Sequence, residues 1–568
     1  MTLLTITDLS VEYPSRRQTL KAVDHASLTV EPGEIHGLVG ESGAGKSTIG
    51  AAVLGLLDPP GHISGGQIGL HNSLISGLDA EQMRGLRGKK ISMIFQDPLT
   101  SLNPLITIRK QLVETIITHL KVTREEADQR AFDLIDRVGI PDPATRLDQY
   151  PHQFSGGMRQ RVVIALALCS EPEVIIADEP TTALDVAVQA QILDLIKELA
   201  RERKVGIILI THDMGVIADT TDRVTVMYGG KVVESGPTAD IMGRPQHPYT
   251  KGLIAVVPRP NIKLKRFPQV TYGGRENVFN IEDLSRNWPK PDTDAGQPIL
   301  KVENLTKVFG TKGGILSGRS KLLTAVDDVS FEVWPGEVFG LVGESGSGKS
   351  TIARMIAGLY EVDGGTVTFE GENVSDHKNR QVMNAFRRKI QMIFQDPYSS
   401  LNPRMRVVDI VSEPMRHLDL LRGKAVTERA EELLERVGLG AEAGEKYPHQ
   451  FSGGQLQRIS IARALATQPT FLICDEPTSA LDVSIQAQIL NILKDLQQYL
   501  GVTMLFISHD LPVVRQMCDR VAVMKDGKLV EMRETNALFS DPQSPYTKDL
   551  LRLMPRLDTL SEDGLATE

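Results

Sequence analysis

Two short stretches set a lysine and two hydroxyls behind a run of glycines. They are Gly40, Glu41, Ser42, Gly43, Ala44, Gly45, Lys46, Ser47 and Thr48, and again Gly343, Glu344, Ser345, Gly346, Ser347, Gly348, Lys349, Ser350 and Thr351. Both fit the spacing G-x-x-x-x-G-K-[ST]. Glycines let backbone N–H groups turn inward around a phosphate, and a helix starting at the lysine adds the positive end of its dipole. Lys46 and Lys349 reach the outer phosphates as point charges, and Ser47 and Ser350 are placed to offer a hydroxyl to Mg²⁺. This is the chemistry of a nucleoside triphosphate, and the loop alone does not separate kinases, GTPases and helicases from other users.

Adjacent carboxylates narrow the chemistry. VIIADE and FLICDE end apolar runs with Asp178–Glu179 and Asp475–Glu476. The aspartate of each pair is expected to hold Mg²⁺ through its water shell. The glutamate is expected to orient or deprotonate the attacking water. His212 and His509 follow the next apolar runs. A histidine after a strand is more often structural, but at this spacing behind Asp-Glu the functional reading outweighs that one.

These residues need rigid strands to aim them. EIHGLVG (34–40) runs into the first glycine-rich turn, and EVIIAD (173–178) and GIILIT (206–211) are continuous apolar runs rich in isoleucine. Such runs suit strands buried on both faces of a mostly parallel sheet. VAVQAQILDLIKELARERK (186–204) has the periodicity of a covering helix. The pattern then repeats: YPHQFSGG at Tyr150, DEPT at Asp178 and PYTK at Pro248 each recur 297 residues later, at Tyr447, Asp475 and Pro545. The fold class is therefore α/β, twice over. The expected division is 1–260 for the first domain, 261–297 for a linker without regular structure, 298–556 for the second domain and 557–568 for an acidic tail.

Composition agrees with that class. The chain has 568 residues, 41% hydrophobic and 24% charged, with a net charge of −9. The longest apolar runs, such as VVIALALC (162–169), stop far short of the ~20 residues that span a bilayer. The N-terminus does not read as a signal peptide. No basic run marks a nucleic-acid partner. Three scattered cysteines without a Cys-x-x-Cys suit a reducing compartment and no metal clip.

FSGGMRQR (154–161) and FSGGQLQR (451–458) carry the resemblance. Each half resembles the ATP-binding domain of an ABC transporter, whose signature is usually written LSGGQ. The resemblance implies two tandem ABC ATPase (P-loop NTPase) domains, each a RecA-like α/β core with a helical subdomain and an antiparallel β subdomain. It implies ATP and Mg²⁺ as cofactors. It also implies that the halves pair within one chain, so that Lys46 meets Ser452, Gly453, Gly454 and Gln455, and Lys349 meets Ser155, Gly156 and Gly157. Met158 stands in place of the usual signature glutamine. Gln96 and Gln395 match the Q-loop, which touches Mg²⁺ and the attacking water. His212 and His509 match the switch histidine at the γ-phosphate, and Asp185 and Asp482 the D-loop. Tyr13 and Phe309 match the aromatic that stacks on adenine, although an aromatic at a strand end also packs usefully.

DPLTSLNP (97–104), DPYSSLNP (396–403), HPYTKGL (247–253) and SPYTKDL (544–550) add a finer resemblance, to the dipeptide, oligopeptide and nickel importer branch. Within that branch the fused halves resemble single-chain oligopeptide or microcin-type peptide importer ATPases. The resemblance implies an ATP-hydrolysing subunit that energises peptide import across the inner membrane. Such a subunit is expected to lie peripherally on the cytoplasmic face and to work with two membrane-spanning permease subunits and an extracytoplasmic substrate-binding protein. No cysteine follows the PYTK region, so no iron–sulfur cluster is expected. The alternatives are a soluble tandem ABC ATPase acting on ribosomes, or an importer ATPase for nickel, glutathione or another non-peptide solute.

Overall fold

The computed structural model describes residues 2–15, 19–181, 184, 186–258, 263–268, 281–293, 296–311, 321–375, 380–479 and 481–554. The chain divides into two compact units, one running to Val257 and one from Pro258 to Met554.

The first unit is built on six strands lying side by side in the order Lys231–Pro237, Arg223–Tyr228, Ile35–Gly40, Gly206–Ile210, Val174–Asp178 and Ile91–Ile94. Only the outer Arg223–Tyr228/Lys231–Pro237 pair is antiparallel; the other neighbours run parallel. Every residue of Ile35–Gly40, Val174–Asp178 and Gly206–Ile210 is buried, as apolar strands covered on both faces must be. Register decides what meets at the carboxyl edge. Ile210 lies opposite both Leu38 and Asp178, so the turn after Gly40 and the Asp178–Glu179 pair leave the sheet beside one another. Ligands of open α/β sheets collect at this edge.

A second, antiparallel sheet of four strands, Thr19–Val30, Leu4–Pro14, His62–Leu70 and Ser73–Leu74, stands beside the first. Between Ile94 and Val174 the chain forms a helical part, Ile108–His119, Arg124–Arg137 and Gly156–Leu168, whose helices pack on one another. Thr123 and Glu126 close a reciprocal cap at the start of Arg124–Arg137, which satisfies two backbone donors that the first turn leaves orphaned. The second unit repeats this plan. Its main sheet runs Ile390–Ile393, Phe471–Asp475, Thr503–Ile507, Val338–Gly343, Arg520–Lys525, Lys528–Glu534, and its antiparallel sheet has four strands in the matching order.

The stretch 261–297, expected to be irregular, folds onto the second unit wherever it is described. Phe267 is 2% exposed, its N–H donates to Asn491 Oδ1 at 2.9 Å, and Asn491 Nδ2 donates back to the Phe267 carbonyl at 2.9 Å. Arg266 forks onto both oxygens of Asp495 at 3.0 and 2.9 Å. A 3₁₀ turn, Glu282–Asn287, packs on the helix Val483–Leu500. Of the stretch's buried apolar anchors, Phe267 stands alone, while Ile281, Leu284 and Trp288 keep an i, i+3, i+7 spacing that lasts only eight residues and runs into Pro289 and Pro291, so composition alone reads as linker. Among the described residues no helix is long and apolar enough to cross a membrane. The three cysteines are free and buried.

Candidate nucleotide site in each unit

The glycines of the phosphate loop are dictated by space. Gly40 sits at φ 150° and Gly45 at φ 96°; a Cβ there would meet the Met227 carbonyl at 2.2 Å and the Ala22 carbonyl at 2.3 Å. Gly343 and Gly348 repeat this against the carbonyls of Met524 at 2.2 Å and Ala325 at 2.4 Å. Any side chain would force these backbones apart. The helices Lys46–Val53 and Lys349–Ile356 start at the end of each loop, with their N-termini turned toward it. Lys46 Nζ donates to the Gly40 and Glu41 carbonyls at 2.7 and 2.9 Å, and Lys349 Nζ to those of Gly343 and Glu344 at 2.8 and 2.8 Å.

Ser47 Oγ donates to Asp178 Oδ1 at 3.0 Å, and Ser350 Oγ to Asp475 Oδ1 at 2.9 Å. Burial pushes both aspartate carboxyls up, the desolvation expected for a charge awaiting a partner. Hydroxyl and carboxylate oxygens beside a phosphate cradle are the donors a hard divalent cation takes. Among the described residues no cluster of three or more His, Cys, Asp or Glu would hold a metal by itself.

One residue on, Glu179 and Glu476 adopt φ 46° and 47°, a conformation that costs energy for a non-glycine residue. The strained turn aims each carboxylate away from the sheet. Gln96 Nε2 donates to Glu179 Oε2 at 2.8 Å, and His212 Nδ1 lies 3.1 Å from Glu179 Oε1. In the second unit Gln395 Nε2 donates to Glu476 Oε2 at 2.7 Å, with His509 Nδ1 3.2 Å from the same oxygen. Burial alone would raise the Glu476 carboxyl. The His509 hydrogen bond and charge, helped by Lys349 and Gln395, outweigh burial and hold it below the ordinary glutamate value. Burial likewise opposes the charged His509 ring, and Glu476 outweighs it, so the imidazole is raised. Each unit thus gathers at one sheet edge a lysine held by loop carbonyls, a serine bonded to an aspartate, and a glutamate gripped by a glutamine and a histidine. The arrangement can cradle phosphates and can present an ionised, oriented carboxylate to a water.

The remaining sequence-derived residues sit around this cluster or apart from it. Tyr13 lies opposite Leu20, two residues from the Ala22 carbonyl that abuts Gly45. Phe309 is 37% exposed and meets Tyr360 edge-on at 5.8 Å. Ser155 and Ser452 start the helices Gly156–Leu168 and Gly453–Leu465. The Ser155 hydroxyl accepts from the Met158 N–H at 3.3 Å. Gln455 Oε1 accepts from the Ser452 N–H at 3.0 Å, completing a reciprocal cap that Met158 cannot make. A Cβ on Gly156 would meet nothing within 4 Å. Asp482 is 9% exposed at the start of Val483–Leu500, and Asp185 lies outside the described residues.

One pair of site residues is not apparent from sequence. Tyr249 is fully buried, and its hydroxyl accepts the Glu41 N–H at 3.1 Å; Tyr546 does the same for Glu344 at 3.3 Å. Both belong to the duplicated PYTK element, so a signal is present, but a proline-started helix explains that motif without any reach toward the phosphate loop.

Comparison with known proteins places the geometry in a family. Residues 23–182 and 326–479 match the family described as ABC transporter. Residues 233–278 and 530–567 match the region described as oligopeptide/dipeptide transporter, C-terminal region. Relatives named glutathione import ATP-binding protein GsiA, from Shigella dysenteriae serotype 1 (strain Sd197) and Escherichia coli (strain K12), are each 46% identical over 97% of this chain and 89% of their own length. A solved dimeric ABC transporter cassette, MJ0796, is 27% identical over 42% of this chain and 99% of its own, with a TM-score of 0.39. With the duplicated phosphate cradle and carboxylate already in view, the family match and the near full-length relatives show that the chain belongs to the ABC transporter family and carries two of its ATP-binding, ATP-hydrolysing domains.

Proposed function

We propose that this chain energises import of short peptides or peptide-like solutes, glutathione foremost, through two separate membrane-spanning permease subunits fed by an extracytoplasmic binding protein. The observation that carries the reading is the near full-length match to relatives named for glutathione import, combined with a site in which neither half lacks its glutamate, glutamine or histidine. From sequence, glutathione stands among the alternatives to a peptide. It is itself a tripeptide-like solute, so the oligopeptide-type C-terminal regions fit both.

In this mechanism Lys46 and Lys349 hold the outer phosphates. Ser47 with Asp178, and Ser350 with Asp475, would hold Mg²⁺, with Gln96 and Gln395 beside them. When bound, the cation neutralises phosphate charge. Glu179 and Glu476 accept a proton from the attacking water, and His212 and His509 hold those carboxylates in place and contact the γ-phosphate. Each cradle is completed by the signature helix of the other half: Ser452, Gly453 and Gly454 with Lys46, Ser155, Gly156 and Gly157 with Lys349. Because these contacts need the γ-phosphate, ATP favours the closed pair and hydrolysis releases it. Attachment to the cytoplasmic face of the membrane is through the permease subunits.

The test is uptake of radiolabelled glutathione by cells lacking their own glutathione importer. These cells receive this chain together with permease subunits and a binding protein from its own source. Uptake that is saturable and abolished by Lys46→Ala with Lys349→Ala supports the reading; uptake of a labelled dipeptide or nickel but not of glutathione overturns the solute assignment.

A further inference from the structure

The two units differ in what covers one equivalent hollow. In the second unit the hollow is filled from within the chain: Trp288 is 7% exposed and its indole Nε1 donates to the Pro469 carbonyl at 3.0 Å. Asp283 pairs with Arg436 at 2.9 Å, and the Asp292 N–H donates to Glu370 at 3.2 Å. The floor beneath is dry, with Ile299, Leu433 and Leu496 all 0% exposed.

The repeat puts the same floor in the first unit. Leu3, Leu134, Arg137, Pro172 and Leu199 stand where Ile299, Leu433, Arg436, Pro469 and Leu496 stand in the second. There they line a cleft of about 410 Å³ within the first unit. Leu134 is only half-buried where its counterpart Leu433 is sealed. In the second unit an indole and its flanking turn occupy the equivalent hollow, so the molecule itself displays one occupant for a floor of this kind. Burying a large aromatic there recovers its apolar area, and Pro172 stands at the repeat position of Pro469, whose carbonyl takes the indole N–H in the second unit. Arg137 pairs with Glu198 and Glu202 at 2.8 and 3.3 Å, but these glutamates are 47% and 63% exposed. Such surface pairs contribute little, so exchange for an incoming carboxylate costs little.

We propose that this cleft on the first unit is a docking site for a tryptophan-bearing segment of a partner polypeptide, with a carboxylate a few residues before the indole set against Arg137. The cleft takes the partner as the second unit takes residues 281–292 of its own chain. The docking face is built from Leu3, the end of the helix Arg124–Arg137, the turn that carries Glu171 and Pro172, and the end of the helix Val186–Arg203, separate from the nucleotide cluster.

The probe is a fluorescein-labelled peptide with the sequence of residues 281–292, IEDLSRNWPKPD, titrated with the full chain and followed by anisotropy. Saturable binding is expected, weakened tenfold or more by Leu134→Glu, by Arg137→Glu, and by alanine in place of the peptide tryptophan, and unchanged by Arg436→Glu. ATP hydrolysis retained by Arg137→Glu shows that this variant is folded, should Leu134→Glu not be. Absence of saturable binding overturns the proposal. So does binding lost with Arg436→Glu alone, which would mean that the peptide merely exchanges with the chain's own strap. A chain that self-associates and is dispersed by the peptide would make the occupant a second copy and overturn the partner assignment.

Discussion

A carboxylate that is to take a proton from water must be ionised, aimed and close to the phosphate it serves. Both Glu179 and Glu476 are aimed by a strained φ near 46° and by the glutamine and histidine that grip them, and the His509 contact holds the Glu476 carboxyl below the ordinary glutamate value. Replacing both glutamates with glutamine keeps shape and hydrogen bonds but removes the base. Turnover is then expected to fall ~10²–10⁴-fold, the usual contribution of general base catalysis. ATP is expected to stay bound, and phosphate release measured beside nucleotide retention checks both; unchanged turnover would remove the base assignment. Residue chemistry also separates the two units away from the site. His36 is 1% exposed, bonded to the Thr29 carbonyl at 2.9 Å and to Thr225 Oγ1 at 2.8 Å, and burial depresses its imidazole to about 4. The unfolded ring titrates near 6.5, so between about 6.5 and 4 the unfolded chain carries a proton that the folded one refuses. Stability of the first unit therefore falls as pH drops through that window, by about 2 kcal/mol between pH 7.5 and 5. The second unit has Phe339 at this position, stacked on Phe331 at 5.1 Å. Urea unfolding of His36→Phe and the parent at both pH values measures the difference; equal pH sensitivity in the two would discard the account.

At the scale of elements, the helix Pro248–Val256 braces the phosphate loop from outside the sheet. Tyr249 does this through one hydroxyl, packed 4.7 Å from the ring of Tyr228. Tyr249→Phe preserves that packing and leaves the Glu41 N–H without its acceptor. A loss of about 1 kcal/mol in loop order is expected, read as a roughly fivefold rise in KM for ATP at the first site with kcat little changed. A fall in kcat with KM untouched would contradict a positioning role. The same element shows where sequence stops being legible. The all-buried strands are readable because continuous isoleucine-rich runs have few other uses, and the glycines of the loop because no Cβ fits at Gly40 or Gly45. The clustering of Gln96, Glu179 and His212 is readable as spacing within a known pattern. The tyrosine brace is not, because its partner is a backbone N–H 208 residues away and a backbone donor leaves no trace in residue type. The strap over the second unit is hidden for a related reason. It is held by single anchors such as Phe267 on Asn491 and Trp288 on Pro469, and its helix-like spacing, Ile281 to Trp288, is too short to announce an element.

At the scale of the whole molecule, the question is why one chain carries two sites that each look complete in phosphate ligands and base. Crossed pairing through the signature helices is the proposed answer. Ser155 stands exposed at the start of Gly156–Leu168, and a Cβ on Gly156 beside it would meet nothing within 4 Å. The N-terminus of a helix favours an anion. If the anion is the γ-phosphate held by Lys349, damage at Ser155 must register at the second cradle and not at the first. Ser155→Arg places a bulky cation over that N-terminus and blocks close approach. Combined with Lys46→Ala, which silences the first cradle, it is expected to abolish the remaining hydrolysis. Combined with Lys349→Ala, it should add nothing, since the site it spoils is already silent; that lack of additivity is the mark of two residues in one pocket. Photolabelling with an azido nucleotide, followed by proteolysis, reports occupancy of each unit separately. Equal loss of label from both units, or additivity with Lys349→Ala, would break the crossed pairing, and with it the link between ATP binding and closure of the two halves.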